Sequence, residues 1–188
     1  EFLNNLLLDL VKNNHLDNGY LKLLRSVGAQ PCKLYGLPKV HKSDVPMRPV
    51  LSMIKSAQYG IAKFLDSLLK PLISKEFECS DSFEFMDFII KQNVEASDFM
   101  VSFDVSSLFT NVPLNETIDL CCEMWQNNVS SNTTLDVVAF RKLLKFATSN
   151  VRFLFNENWY EQIDGVAMGS PLAPTLASIF FIKIRKQN

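Results

Sequence analysis

Four prolines fall between Pro31 and Pro49, and they decide how the rest of the chain can be divided. Each proline fixes its own φ and pushes the residue before it toward extended backbone, so no helix can run through this stretch. Short extended pieces are expected around Lys33-Leu34-Tyr35 and Pro49-Val50-Leu51-Ser52. On either side, apolar residues return at helical spacing. Residues 2 to 13 and 20 to 26 show it, separated by the turn signal Asp17-Asn18-Gly19. Beyond the prolines, Ser56 can cap a helix whose Ile61, Phe64, Leu65, Leu68, Leu69 and Leu72 recur at three and four.

A second core-facing helix is expected from Ser82 to Gln92, with Phe85, Met86, Ile89 and Ile90 inward. Phe99-Met100-Val101-Ser102-Phe103 is short and bulky, which predicts a buried strand. Helices are expected at 115 to 126 and 134 to 148, then a hairpin of Val151 to Phe155 and Trp159 to Ile163 around Asn156-Glu157-Asn158. A loop from Asp164 to Pro171 leads into a helix from about Leu172. Many helices with few, separated strands predict an α+β fold, its helices packed on a small antiparallel sheet.

Hydrophobic residues make up 47% of the 188 and fifteen are phenylalanine, which excludes a disordered chain because such rings need a core. No apolar run approaches the roughly 18 to 20 residues that span a bilayer, and no signal-peptide pattern opens the chain, so no membrane partner and an intracellular location are expected. The four cysteines form no C-x-x-C pair and read as reduced, structural thiols. The chain opens on Glu1 and stops at Asn188 with an apolar helix running, which reads as part of a longer protein.

Charge is segregated. Residues 33 to 75 carry eight Lys or Arg against two acids, whereas residues 76 to 136 carry one Lys against twelve acids. A basic segment followed by an acidic one suits a polyanion on one side and divalent cations on the other; two solvated faces of opposite sign are the plainer explanation.

Three strings can carry chemistry. The apolar segment 99 to 103 ends on Asp104, and a carboxylate at the tip of a buried strand is costly unless a cation, best a hard divalent metal, neutralises it. Taken alone, such an aspartate is more often a turn or helix cap, and Phe109, five residues on, is ordinary core. Lys33 to Lys42 and then Met47-Arg48-Pro49-Val50 concentrate cations, and Arg48 could hold phosphate oxygens bidentately where a lysine acts as a point charge. Each lysine alone is a solvated surface charge, and the lone His41 reads as structural. Gly165, Gly169 and Pro171 at a loop-to-helix junction signal tight turn geometry.

Together these strings resemble the reverse transcriptases of Penelope-like retroelements. V-S-F-D-V-S-S-L-F-T-N-V-P at 101 to 113 is similar to their motif A, Y-G-L-P-K-V-H-K with R-P-V to their fingers, and G-V-A-M-G-S-P-L-A-P to their motif B, with Ala173 where serine is usual. The resemblance spans roughly residues 30 to 182. It implies an incomplete right-hand polymerase: an N-terminal helical segment at 1–30, fingers at 31–98 and a partial palm at 99–188.

The resemblance further implies that Asp104 is the catalytic, metal-binding carboxylate for Mg²⁺, with Mn²⁺ as a substitute, assisted by the Val105 carbonyl. Phe109 would lie beneath the incoming sugar and exclude a 2′-hydroxyl by sterics. Arg48, with Lys39 or Lys42, would hold the dNTP triphosphate, while Met168, Gly169 and Ser170 would contact the template base and nascent pair. The reaction would be DNA synthesis on a primed RNA or DNA template by two-metal phosphoryl transfer, with the parent protein in the nucleus. The family places a Y-x-D-D hairpin after motif B, and no Asp-Asp pair occurs in these 188 residues, so this chain alone is expected to be inactive. Two alternatives stand beside this: a catalytically dead remnant that binds nucleic acid through residues 33 to 75, and an interaction module on a polymerase scaffold.

Overall fold

The computed structural model describes residues 1–74, 79–128 and 135–187. Residue 134, the expected first residue of one helix, lies outside them, as does Asn188.

The main core is helical. Helices α1 (Phe2–Lys12) and α2 (Asn18–Leu24) form the N-terminal pair, and the Asp17 carboxylate caps α2 by accepting from the Gly19 N–H. Helix α3 (Ala57–Leu69) starts where the sequence predicts, with the Ser56 hydroxyl accepting from the Tyr59 N–H, and it buries Ile61, Leu65 and Leu69. Helices α5 (Leu114–Asn128) and α6 (Val137–Thr148) pack on each other, and both meet further helices: α6 meets α3, and α5 meets α7 (Ala173–Gln187). At their contact Trp125 stacks on Phe140 with ring centroids 4.6 Å apart, and its indole N–H donates to the Leu135 carbonyl. Each fully buried Leu or Phe side chain contributes about 1.5–3 kcal/mol. With Leu7, Leu10, Ile61, Leu65, Ile118, Phe140, Leu143 and Leu176 all in one cluster, this helical layer is the principal source of stability.

The sheet is small and lies to one side. Strands β1 (Cys32–Pro38), β2 (Met47–Ser52), β3 (Val151–Phe155) and β4 (Asn158–Gln162) run in the order β2-β1-β3-β4. The β1–β2 and β3–β4 pairs are antiparallel hairpins, but β1 and β3 pair in parallel through Cys32↔Phe153 and Lys33↔Leu154. The sheet is therefore mixed, which corrects the expected antiparallel one. The reason lies in the connection: a parallel pair needs a long crossover, and helices α3 to α6 supply it between the two hairpins. A second, smaller core sits under this sheet, built from Cys32, Leu51, Met53, Val151 and Ala167.

Two expectations fail in the acidic middle of the chain. Residues 99 to 103 form no strand and are not buried, Phe99 being 85% and Phe103 93% exposed. A strand exists through its ladder, and among the described residues no strand pairs with this segment. Helix α4 (Ser82–Ile90) forms as predicted but buries nothing: Phe83, Phe85, Met86, Phe88 and Ile90 all face solvent. Its start is held locally, the Asp81 carboxylate accepting from the N–H groups of Phe83 and Glu84 while Glu84 accepts from Ser80. Apolar periodicity specifies a helix face without specifying what that face meets.

Among the described residues no helix is long and apolar enough to cross a membrane.

Candidate functional site

The loop from Asp164 to Pro171 is the centre of the arrangement. Gly165 takes φ +68° and Gly169 φ +123°, conformations that side chains rarely adopt. Both glycines also permit close approach. A Cβ on Gly165 would lie 2.5 Å from the Phe109 carbonyl oxygen, and one on Gly169 would lie 2.2 Å from the Leu51 carbonyl oxygen. With both glycines in place, the loop makes one backbone hydrogen bond to each neighbour. The Val166 N–H donates to the Phe109 carbonyl and the Leu51 N–H donates to the Met168 carbonyl, each at 2.7 Å. Three strings far apart in sequence thus meet at one place.

The turn that follows Asp104 is fixed by its own side chains. Ser107 takes a left-handed conformation at φ 53° and begins a 3₁₀ turn, Leu108–Asn111. The Thr110 hydroxyl donates to the Ser107 carbonyl, and the Asn111 amide donates to the carbonyls of Ser106 and Ser107. Phe109 is half-buried and packs on the main helical core. Its backbone receives the Val166 bond while its ring anchors the turn.

A cleft of about 390 Å³ opens at this junction. Leu34, Pro49 and Leu51 of the sheet form one wall, Val166 and Met168 another, and Thr110 and Asp164 add polar groups. A second, more polar depression of about 620 Å³ shares Thr110 and Asp164 with it and adds Asn111, Asn115 and Ser149. The Gln162 amide donates to the Asp164 carbonyl at 2.9 Å and steadies the turn between the two.

The cations stand at one end of the β1–β2 hairpin. Arg48 is on β2, opposite Leu37, and is exposed. The connecting loop is closed by the Lys39 N–H donating to Pro46, the Lys42 N–H donating to Lys39 and the Val45 N–H donating to Lys42. Arg48, Lys39 and Lys42 are therefore presented by one hairpin whose other end, at Leu51, touches the Met168 turn.

Asp104 is placed differently. It is exposed in the irregular segment before the 3₁₀ turn, and Val105 beside it is also exposed. Among the described residues no group of three or more His, Cys, Asp or Glu side chains could hold a metal. One carboxylate does not make a two-metal site, so the residues present do not by themselves fit the Mg²⁺ pair that the resemblance implies.

Asp164, Thr110, Asn111 and Leu51 were not singled out from the sequence. Asp164 stands directly before the Gly165 turn, and Asn111 follows Ser107 at the spacing of a local side-chain-to-backbone bond; both are readable signals. Leu51 gives none, because its part is played by its backbone alone.

Comparison with protein-family models finds no match, and comparison with curated proteins finds none either.

Proposed function

We propose that this chain is the fingers and front palm of a reverse transcriptase of the Penelope-like kind, whose parent protein copies a primed RNA or DNA template into DNA. The observation that carries this reading is the junction of three strings. The loop resembling motif B hydrogen-bonds at Val166 to the turn resembling motif A, and at Met168 to the strand that bears Arg48. In a template-directed polymerase, the triphosphate clamp, the sugar-facing ring and the template rest must converge on one nucleotide. Arg48, Phe109 and Met168 sit on the three segments so joined.

In this reading Phe109 selects deoxynucleotides by steric exclusion, Arg48 with Lys39 or Lys42 neutralises the triphosphate, and the Met168-Gly169-Ser170 turn supports the template base. Asp104 supplies one carboxylate. The reading requires partner carboxylates besides Asp104, so no catalytic step is assigned to these 188 residues alone.

The test is primer extension with Mg²⁺ and dNTPs. This chain alone is expected to give no incorporation. A chain continued into a Y-x-D-D hairpin is expected to incorporate dNTPs and to lose about a hundred- to a thousandfold on Asp104→Ala, the scale of effect expected when a charge-stabilising group is removed from such a transition state. Incorporation that survives Asp104→Ala would sink the reading.

A second reading is a nucleic-acid-binding remnant without catalysis, supported by the excess of cations over residues 33 to 75. Absence of incorporation in the continued chain, with binding retained, would select it.

A further inference from the structure

Helices α5 and α6 pack on each other, and on their solvent side a groove of about 570 Å³ runs between them. Helix α5 lines it with Asp119, Cys122, Glu123 and Gln126, and α6 with Val138, Arg141, Lys142 and Lys145. Both sets recur at three and four residues, so each is one face of one helix.

The two walls differ in charge. Asp119 and Glu123 make the α5 wall acidic, while Arg141, Lys142 and Lys145 make the α6 wall basic. Arg141 and Asp119 form an ion pair across the groove. Glu123, Lys142 and Lys145 are exposed and take part in no ion pair among the described residues. At the floor, burial pushes the Cys122 thiol up from its ordinary value, Arg141 and Lys145 pull it down, and Asp119 and Glu123 push it further up. Four charges therefore stand around one point. Val138, 43% exposed, adds an apolar contact on the basic side. None of these residues lines the cleft between the sheet and the Met168 turn.

A groove with an unpaired acid on one wall and unpaired bases on the other is complementary to itself. A two-fold axis lying between two copies and running along the groove exchanges left and right, so it sets each acidic wall against the other copy's basic wall. An axis across the groove would set acid on acid and base on base. Such isologous contacts close after two copies, and two helices from each make a four-helix arrangement.

We propose that the α5–α6 groove is a dimer interface, in which a second copy of this chain docks groove to groove and Glu123 of each copy meets Lys142 and Lys145 of the other. The contact is driven by charge, so salt weakens it, unlike an association through the apolar side chains of α4. It does not rest on the polymerase reading, since it needs neither nucleic acid nor metal.

The experiment follows sedimentation of the 188-residue protein from about 10 to about 500 µM, the range of a small, transient interface. A reversible monomer–dimer equilibrium is expected at about 0.05 M salt, and its loss at about 1 M, where charges are screened within roughly 3 Å. An exposed ion pair is worth up to about fivefold in affinity and the two-fold repeats every loss, so Glu123→Lys is expected to weaken the dimer by up to about twenty-five-fold. Lys142→Glu combined with Lys145→Glu is expected to act likewise. The first variant has cations on both walls and the second has acids on both, so the two mixed in equal amounts are expected to pair with each other. All three positions are exposed and Glu and Lys are both good helix formers, so circular dichroism is expected to show both variants folded.

No dimer at the highest concentration overturns the proposal. So does a dimer that salt strengthens or that Glu123→Lys leaves unchanged, because the contact would then lie elsewhere, as on α4. Failure of the two folded variants to pair overturns it as well. Failure of primer extension leaves the dimer standing, and a protein that stays monomeric leaves the polymerase reading standing.

Discussion

Gly169 and Leu51 approach so closely that a single added methyl carbon on the glycine would lie 2.2 Å from the leucine carbonyl oxygen. Their contact joins the Met168 turn to the strand carrying Arg48, and it depends on the absence of a side chain.

Gly169→Ala is therefore expected to be severe. The strained φ alone costs about 1–3 kcal/mol, and the backbone clash adds to it. Urea unfolding should show a loss of at least about 2 kcal/mol, whereas Gly60→Ala in α3, where a Cβ meets nothing within 4 Å, should gain about 0.5–1 kcal/mol. Equal effects at the two positions would mean that the junction is not held as described.

Phe140→Ala removes a fully buried ring and leaves Trp125 unstacked. A loss of about 3–5 kcal/mol is expected in the same unfolding experiment, measured at low temperature. A loss below about 1 kcal/mol would place the principal core elsewhere.

Three cysteines are buried and Cys79 is exposed. Titration with a thiol reagent should find one fast-reacting thiol in the native protein and four after unfolding. Cysteine to serine at position 79 should remove the fast phase.

Burial pushes the Cys121 thiol up from 9.0 to about 12, with the neighbouring Cys122 adding to the rise. Above pH 9 the unfolded chain loses this proton while the folded chain keeps it, so stability is complete below pH 9 and is lost as pH rises toward 12. Comparing Cys121→Ala with the parent between pH 8 and 11 should show a shallower decline in the variant, by up to about 1.4 kcal/mol per pH unit. Parallel declines would contradict the buried position.

Helix α4 and residues 99 to 103 display apolar side chains in quantity. A surface of that kind is expected to bind a hydrophobic dye and to promote association. Phe103→Ser should reduce dye binding while moving stability by no more than about 0.5 kcal/mol, since the ring contacts little. A larger change in stability would show that the segment is packed after all.

Helix positions and starts were legible because they are local: Ser56 caps α3, its periodic Ile61, Leu65 and Leu69 are buried, and Asn156-Glu157-Asn158 sets the β3–β4 turn. The parallel contact of β1 with β3 was not legible, since Cys32 and Lys33 carry no mark of a partner near Phe153. Residues 99 to 103 misled for the opposite reason: their composition suits a strand, but a strand needs a neighbour that composition cannot supply. At the site, Gly165 and Gly169 announced a tight turn. What they turn against, Phe109 and Leu51, is a property of the folded chain.

The parallel pairing of β1 with β3 also orders assembly in time. The β1–β2 hairpin can close from nearby residues, but Cys32 can meet Phe153 only after the intervening helices have brought the two together. Contacts between distant parts of a chain form slowly. The hairpin bearing Arg48 is thus available early in folding, and the junction with Met168 is among the last features to appear. A chain emerging during synthesis would hold a cationic hairpin long before it held a cleft for that hairpin to serve.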